Sequence, residues 1–216
     1  MSKQVKSRQR VADHGEVFTA EREVKAMCDL VKTETERIDS RFLEPACGEG
    51  AFLTEILSRK LMVVRTKYRR SVMDYEKNSL LAVSSLYGVD ILLDNVQICR
   101  DNLYKIWEKQ YKAVCKRECS DDVKRSIRFI LERNIVCGNA LTLMTVDENG
   151  KDTDVPIIFS EWAFVMGMNI QRQDFTFEKL MNQAENAEQQ LSLGNEDEGT
   201  LIQRYICDYR RIWENG

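Results

Sequence analysis

Residues 41–52 read RFLEPACGEGAF, and the order of apolar, proline and glycine residues in this stretch decides the fold class. Phe42 and Leu43 close a short apolar strand, Pro45 can continue neither a ladder nor a helix, and Gly48 and Gly50 frame a turn. From Ala51 onward, Phe52, Leu53, Ile56 and Leu57 begin a helical stripe. The unit is strand, glycine turn, helix. In an open α/β sheet this unit sets backbone amides and a helix N-terminus beside a crevice at the carboxyl end of the first strand, where a nucleotide-like ligand sits. The third glycine of the dinucleotide fingerprint is missing, because Leu53 follows Phe52. A phosphate-cradling loop is not present either, since no Lys-Ser or Lys-Thr pair follows the glycines.

The chain of 216 residues is long enough for one well-filled α/β domain and too short for two sizeable ones. With 43% hydrophobic and 31% charged residues it has the composition of a soluble globular protein, and no apolar run approaches the length of a bilayer span. The basic N-terminus MSKQVKSRQR has no apolar segment behind it, so it does not read as a secretory signal, and a cytoplasmic location is expected. The seven cysteines are irregularly spaced without a Cys-x-x-Cys pair, and His14 is the single histidine. Cys115 and Cys119 could share a helix face, but two thiols without partners make a poor metal site. All seven read as reduced packing residues, and no metal is expected. A net charge of −3 argues against holding nucleic acid by bulk electrostatics. The local cluster Arg59, Lys60, Arg65, Lys67, Arg69 and Arg70 reads as a solvated face, with a DNA track as the alternative.

Residues 1–13 show no periodicity and are expected to be a mobile tail, with a single domain over 14–216. Within HGEVFTAEREV, Thr19 is the expected N-cap of a helix that carries Val24, Met27, Cys28 and Val31 on one face. A helix over Ser71 to Ser85 leads into LYGVDI, a buried strand that ends on Asp90 and Ile91. A carboxylate at that tip can accept both hydroxyls of a ribose, or can simply cap a helix. A long helix follows over Asp94 to Cys115, and Asp121 or Asp122 caps another that runs to Arg133. Asn134 to Ala140 is the third strand and its turn, Asn149-Gly150 suggests a small hairpin, and Pro156 to Trp162 reads as the fourth strand. Beyond it, helices are expected over Phe175 to Gln190 and over Thr200 to Trp213. The second of these carries Leu201, Ile202, Tyr205, Ile206, Tyr209, Ile212 and Trp213 as one stripe, to be buried on the chain's own sheet or on another subunit.

An acid, then Pro-Ala-Cys-Gly-x-Gly and an aromatic at Glu44 to Phe52, resembles the first motif of amino-methylating DNA methyltransferases, specifically the adenine-N6 enzymes of restriction-modification systems. Gly15 to Ala20 resembles their tenth motif, Gly-x-x-(Tyr/Phe)-Thr-Pro, with Ala20 where proline is usual. The resemblance implies a Rossmann-like class I fold, a three-layer α/β/α arrangement with a mostly parallel sheet, and S-adenosylmethionine as cofactor. It implies that Glu44, Pro45, Ala46, Cys47, Gly48 and Gly50 line the cofactor crevice, that Phe18 and Thr19 close over its methionine end, and that Asp90 with Ile91 holds the ribose. Asn139, where the family usually has an acid, would accept the adenine amine beside Ala140. DNA is the implied partner.

The family also uses an (Asn/Asp/Ser)-Pro-Pro-(Tyr/Phe) loop after the fourth strand, to accept the target amine and stack on the flipped base. This sequence has only Pro45 and Pro156, and no Pro-Pro. Ser160-Glu161-Trp162 occupies the place, so Glu161 as acid or base and Trp162 as stacking platform are the catalytic candidates, against a plain strand end. Three functions stay open. The chain can be the cofactor domain of a DNA adenine-N6 methyltransferase whose catalytic loop and target recognition come from a second polypeptide. It can be a non-catalytic cofactor-binding or regulatory subunit, or a class I methyltransferase for RNA, protein or a small molecule.

Overall fold

The computed structural model describes residues 19–179, 181 and 202–215. The expected tail at 1–13, Phe18, most of the expected helix up to Gln190, and Leu201 lie outside these residues. Two helices, α1 (Glu21–Leu30) and α2 (Lys32–Thr35), precede β1 (Phe42–Glu44). Helices α3 (Ala51–Tyr68) and α4 (Val72–Ser84) connect β1 to β2 (Leu86–Asp90), and α5 (Leu93–Cys115) and α6 (Asp121–Asn134) connect β2 to β3 (Ile135–Asn139). These long crossovers bring β1, β2 and β3 side by side in parallel, with Glu44 opposite Gly88 and Asp90 opposite Cys137. The carboxyl ends of β1, β2 and β3 thus carry Glu44, Asp90 and Asn139 at one end of the sheet.

The rest of the sheet departs from the expected parallel order, for a simple reason of length. Only residues 140–143 separate β3 from β4 (Met144–Val146), whereas a parallel crossover needs about a dozen residues. β4 therefore turns back antiparallel, and the expected hairpin, with Gly150 at φ 75°, returns β5 (Asp152–Pro156) antiparallel again. The sheet, in order β1-β2-β3-β4-β5, is mixed rather than mostly parallel. Pro156 ends β5 and does not open a fourth parallel strand.

Residues alternate across this sheet. Phe42, Leu86, Ile135 and Cys137 meet the main core, built from α1, α3, α4, α5 and α6. Tyr87, Val89 and Val136 point the other way, against Ile157, Phe159 and Phe177. Among the described residues the helices cover one face, so the second helical layer of the expected α/β/α arrangement is replaced by this smaller apolar cluster.

A second sheet, absent from the sequence reading, joins β6 (Ile158–Phe164), β7 (Asn169–Thr176) and β8 (Gln203–Asp208), all antiparallel. The expected helix from Phe175 is corrected here, since Phe175 and Thr176 end β7 and helical structure begins at residue 177. The expected helix from Thr200 is likewise strand β8, followed by a short 3-10 turn over Ile212–Asn215. Its burial follows a period of two: Tyr205, Cys207 and Tyr209 face inward, while Arg204 and Ile206 face out. Tyr209 and Ile212 join the main core, so part of the predicted stripe is buried on the chain itself.

Two buried charges fasten these parts. Glu76 on α4 accepts from the hydroxyls of Tyr111 and Tyr209, at 2.6 Å each, and from Arg210 at 2.7 Å. It thereby ties the C-terminal segment to α4 and α5. Replacing Glu76 with alanine removes the charged acceptor of two buried hydroxyl protons and of Arg210, while each hydroxyl still accepts, from Ser120 N–H and from Arg210, so we expect a loss of about 3 kcal/mol in urea unfolding.

Lys60, on the buried side of α3, donates to the carbonyls of Ile38 and Ser40 and to the Ser85 hydroxyl, which pins the approach to β1 against the start of β2. Burial pushes its ammonium down to about 7. Between that value and the ordinary lysine range, the unfolded chain binds the extra proton, so stability rises with pH through the window from 7 upward. In denaturant titrations over pH 7 to 9, that rise should be present in the native protein and missing in Lys60→Met.

Candidate functional site

Cys47 N–H donates to the Val89 carbonyl and Gly50 N–H to the Cys47 carbonyl, at 2.8 Å each, which curls residues 47–50 against the end of β2. Gly48 and Gly50 both take the left-handed conformation, at φ 51° and 87°. A Cβ on Gly50 would lie 2.6 Å from the Cys99 sulfur of α5. A side chain there is thus excluded by packing against α5 as well as by backbone strain, independently of any ligand. The Asp90 carboxylate completes the turn: Oδ2 accepts from Gly48 N–H at 2.8 Å, and Oδ1 accepts from Leu92 N–H at 2.9 Å and from the Asn95 amide.

The N-terminus of α3 emerges from this turn with no side-chain cap and no acid in its first turn. Its opening residues, Ala51 and Phe52, line a cavity of about 590 Å³. The cavity's other walls are Glu44 and Ala46 to Glu49 of the loop, Thr19 to Glu21 and Val24 beside α1, and Asn102 and Ile106 of α5. Burial raises the Glu44 carboxyl above the usual range, against the opposing hydrogen bond from Ala46 N–H. The Cys99 thiol beside it and burial push Cys47 far up, so Cys47 stays a neutral thiol and serves as packing.

The structure brings Thr19, Glu44, Ala46, Cys47 and Gly48 together around one cavity. Asp90 stands directly behind the loop and holds it. Asn139 is turned aside: its amide oxygen accepts from Leu141 N–H and its amide nitrogen donates to Asp152, both at 3.0 Å. Thr19 is not the cap of α1. The N-cap is Ala20, whose carbonyl accepts from Glu23 and Val24, and of the expected apolar face only Val24 and Cys28 are buried. The reading from sequence missed Glu21, Glu55, Ser58 and Asn102. A signal existed for two of them, because Glu55 and Ser58 follow Ala51 at i+4 and i+7 on one face of α3.

Glu161 and Trp162 belong to a different place. Glu161 pairs with Arg41, the residue before β1, and both line a separate groove of about 240 Å³ with Ser84, Ser85 and Tyr87 at the amino end of the sheet. The glycine loop is at the carboxyl end of the same strands. The two catalytic candidates therefore cannot act on a ligand held by the loop; nor do they end a strand, since both lie within β6, which runs on to Phe164.

Arg59 of α3 closes the site from behind. It pairs with Asp29 of α1 at 2.8 Å and with Glu55 at 2.7 Å, and also donates to the Lys25 carbonyl, so α1 is held over the cavity. The pairs are only partly shielded from water, and we expect Arg59→Ala to cost about 1 kcal/mol of global stability. Amide hydrogen exchange in α1 should speed up selectively in that variant, with exchange in α5 unchanged. Among the described residues no group of three His, Cys, Asp or Glu side chains could hold a metal ion, and no helix is long and apolar enough to cross a membrane.

The chain is 26% identical over 185 residues to a protein of Methanocaldococcus jannaschii provisionally named a type II restriction enzyme and methyltransferase. The match takes in 81% of this chain and 14% of the archaeal protein, so the chain spans about one seventh of that relative's length. No family model matches the chain, and no solved structure matches it.

Proposed function

We propose that this chain is the S-adenosylmethionine-binding part of a DNA adenine-N6 methyltransferase. The observation that carries the reading is the cavity at the glycine loop, where opposite charges are offered to a zwitterion. Glu44 presents a carboxylate suited to an ammonium or sulfonium group, and the uncapped N-terminus of α3 presents backbone amides suited to a carboxylate. The amino-acid end of the cofactor has those groups. The bound cofactor would supply an activated methyl group, and the part of this chain would be to orient it and keep water away. Asp90 uses three of about four acceptor sites on chain donors, which leaves room for one further hydroxyl and makes its main part the support of the loop.

The archaeal relative's name supports both the methyl-transfer chemistry and a restriction-modification setting with DNA as substrate. The sequence has no Pro-Pro pair, and Glu161 with Trp162 is remote from the cavity. On this reading the group that accepts the adenine amine lies outside these residues, in further chain or in a second polypeptide. A cofactor-binding subunit without catalysis would have the same cavity, so the chemistry is tested separately from binding.

Titration calorimetry should show binding of S-adenosylmethionine and S-adenosylhomocysteine and none of NAD, for which the third glycine is missing. Glu44→Gln keeps an acceptor for Ala46 N–H but removes the charge, and should weaken S-adenosylmethionine by about 1 to 3 kcal/mol. Because the Glu44 carboxyl is raised, the native affinity should fall on acidification in a window above the ordinary glutamate range, and the Glu44→Gln affinity should not. Binding of neither cofactor form would refute the proposal. Label transfer from the methyl-tritiated cofactor to DNA by the chain alone would refute the placement of the amine acceptor elsewhere.

A further inference from the structure

We infer that the free edge of β8 is a self-association surface, on which a second copy of this chain adds its own β8 antiparallel and extends the three-stranded sheet across a two-fold axis. The inference is independent of the cofactor reading. In the order β6-β7-β8 the first and last strands are edges. Tyr209 N–H donates to the Met168 carbonyl at 3.0 Å, which sets the phase of the ladder. Gln203, Tyr205 and Cys207 therefore bond toward β7, whereas Arg204, Ile206 and Asp208 turn their N–H and C=O groups to the free side. The same reasoning on β6, where Val165 N–H bonds to the Asn169 carbonyl, turns Ser160 to the free side, and there the molecule covers its own edge. Ser160 N–H donates to Asn134, and its carbonyl accepts from Tyr87. On β8, among the described residues, the N–H and C=O groups of Arg204 and Ile206 have no such cover.

An open edge is a template for another strand, and proteins ordinarily blunt it with proline, a bulge or charges of one sign. β8 has no proline, and its ladder with β7 runs without a register shift. Its outward face instead places a cation, Arg204, and an anion, Asp208, evenly about Ile206, which is 58% exposed. Antiparallel pairing centred on Ile206 sets Arg204 opposite the partner's Asp208 and Asp208 opposite the partner's Arg204, with Ile206 on its own counterpart. The phase agrees, because these are the residues whose backbone groups face the free side, so every opposing pair is a hydrogen-bonded one. A register shifted by two residues sets Arg204 against Ile206 and forfeits both charge pairs. Within the chain Arg204 reaches the Gln173 amide oxygen and Asp208 accepts from Arg210 N–H, and both side chains keep further sites for the partner. The Asp208 carbonyl accepts from Arg211 N–H, which turns the chain away and ends the shared ladder there, so the interface is small and the association weak. Such a pairing covers Ile206, a member of the predicted apolar stripe that the chain does not bury on itself.

The test is analytical ultracentrifugation of the full chain over a series from about 1 to 300 μM, the range suited to a small interface. The native chain should pass from monomer to dimer as concentration rises. Arg204→Glu and Asp208→Lys each set like charges opposite one another at both ends of the ladder, and each alone should weaken the dimer about tenfold or more. An equimolar mixture of the two variants restores opposite charges in both pairs and should dimerise as the native chain does. Ile206→Cys tests the register. The two Cα atoms would lie about 5.5 Å apart, within the span of a disulfide, so mild oxidation should link this variant into a dimer and leave the native chain unlinked. Circular dichroism and melting temperature establish that the variants fold. Should Asp208→Lys lose its fold along with its bond from Arg210 N–H, Arg204→Glu and the cross-link decide the matter. A native chain that stays monomeric throughout overturns the inference. So does a native dimer that the folded charge variants leave unweakened, or an Ile206→Cys chain that remains unlinked.

Discussion

The bond from Gly48 N–H to the Asp90 carboxylate is the contact on which the site depends. It joins the turn after β1 to the tip of β2, and the same carboxylate caps the entrance of α5 through Leu92 and Asn95. With the bond from Cys47 N–H to the Val89 carbonyl, it ties the turn to the tip of β2 and, through the two residues that follow, to the start of α5. The left-handed glycines follow from the same constraint, since the loop must climb from β1, meet Asp90, and enter α3 within a few residues while α5 presses against Gly50. A charge-assisted bond of this kind is worth more than a neutral one, and it is made by a residue for which the sequence left both a ribose contact and a helix cap open.

The molecule has two ends with different duties. At the carboxyl ends of the parallel strands, the loop, α1 and α3 enclose a cavity with acidic walls and an uncapped helix start. At the amino ends, the second sheet folds under the strands, with Ser160 N–H donating to the Asn134 amide oxygen and the Tyr87 hydroxyl donating to the Ser160 carbonyl. Arg133, Ser160, Arg172 and Asp174 complete that junction as a buried ionic network, with Asp174 accepting from Ser160 at 2.6 Å and pairing with Arg133 at 2.9 Å. Such a network fixes register at the cost of desolvation, which suits a structural joint better than a catalytic one.

What the sequence disclosed and what it concealed follow from these contacts. The stretch from Phe42 to Leu57, the strand LYGVD and the long helices were legible because their apolar residues recur at one clear period. The second sheet was not, because β7 buries Arg172 and Asp174 at the positions where a reader expects valine or leucine. In β8, Tyr205 and Cys207 face in while Ile206 faces out, a pattern that on paper fits a helical stripe equally well. The mixed order of the first sheet was written in the short connection after Asn139, a matter of loop length and not of hydrophobic pattern. Around the cavity, Glu44 and Ala46 to Gly48 were foreseen as lining because they adjoin one another in the motif, whereas Glu21 and Asn102 are brought in by packing between α1, α3 and α5.

A crystal structure of the chain with S-adenosylhomocysteine tests the central claim most directly. The account predicts the amino-acid end of the ligand between Glu44 and the start of α3, its ribose near Asp90, and the Gly48 to Asp90 bond intact. Density for the ligand in the groove between Arg41 and Glu161, or a cavity at the glycine loop that stays empty at saturating ligand, would contradict it.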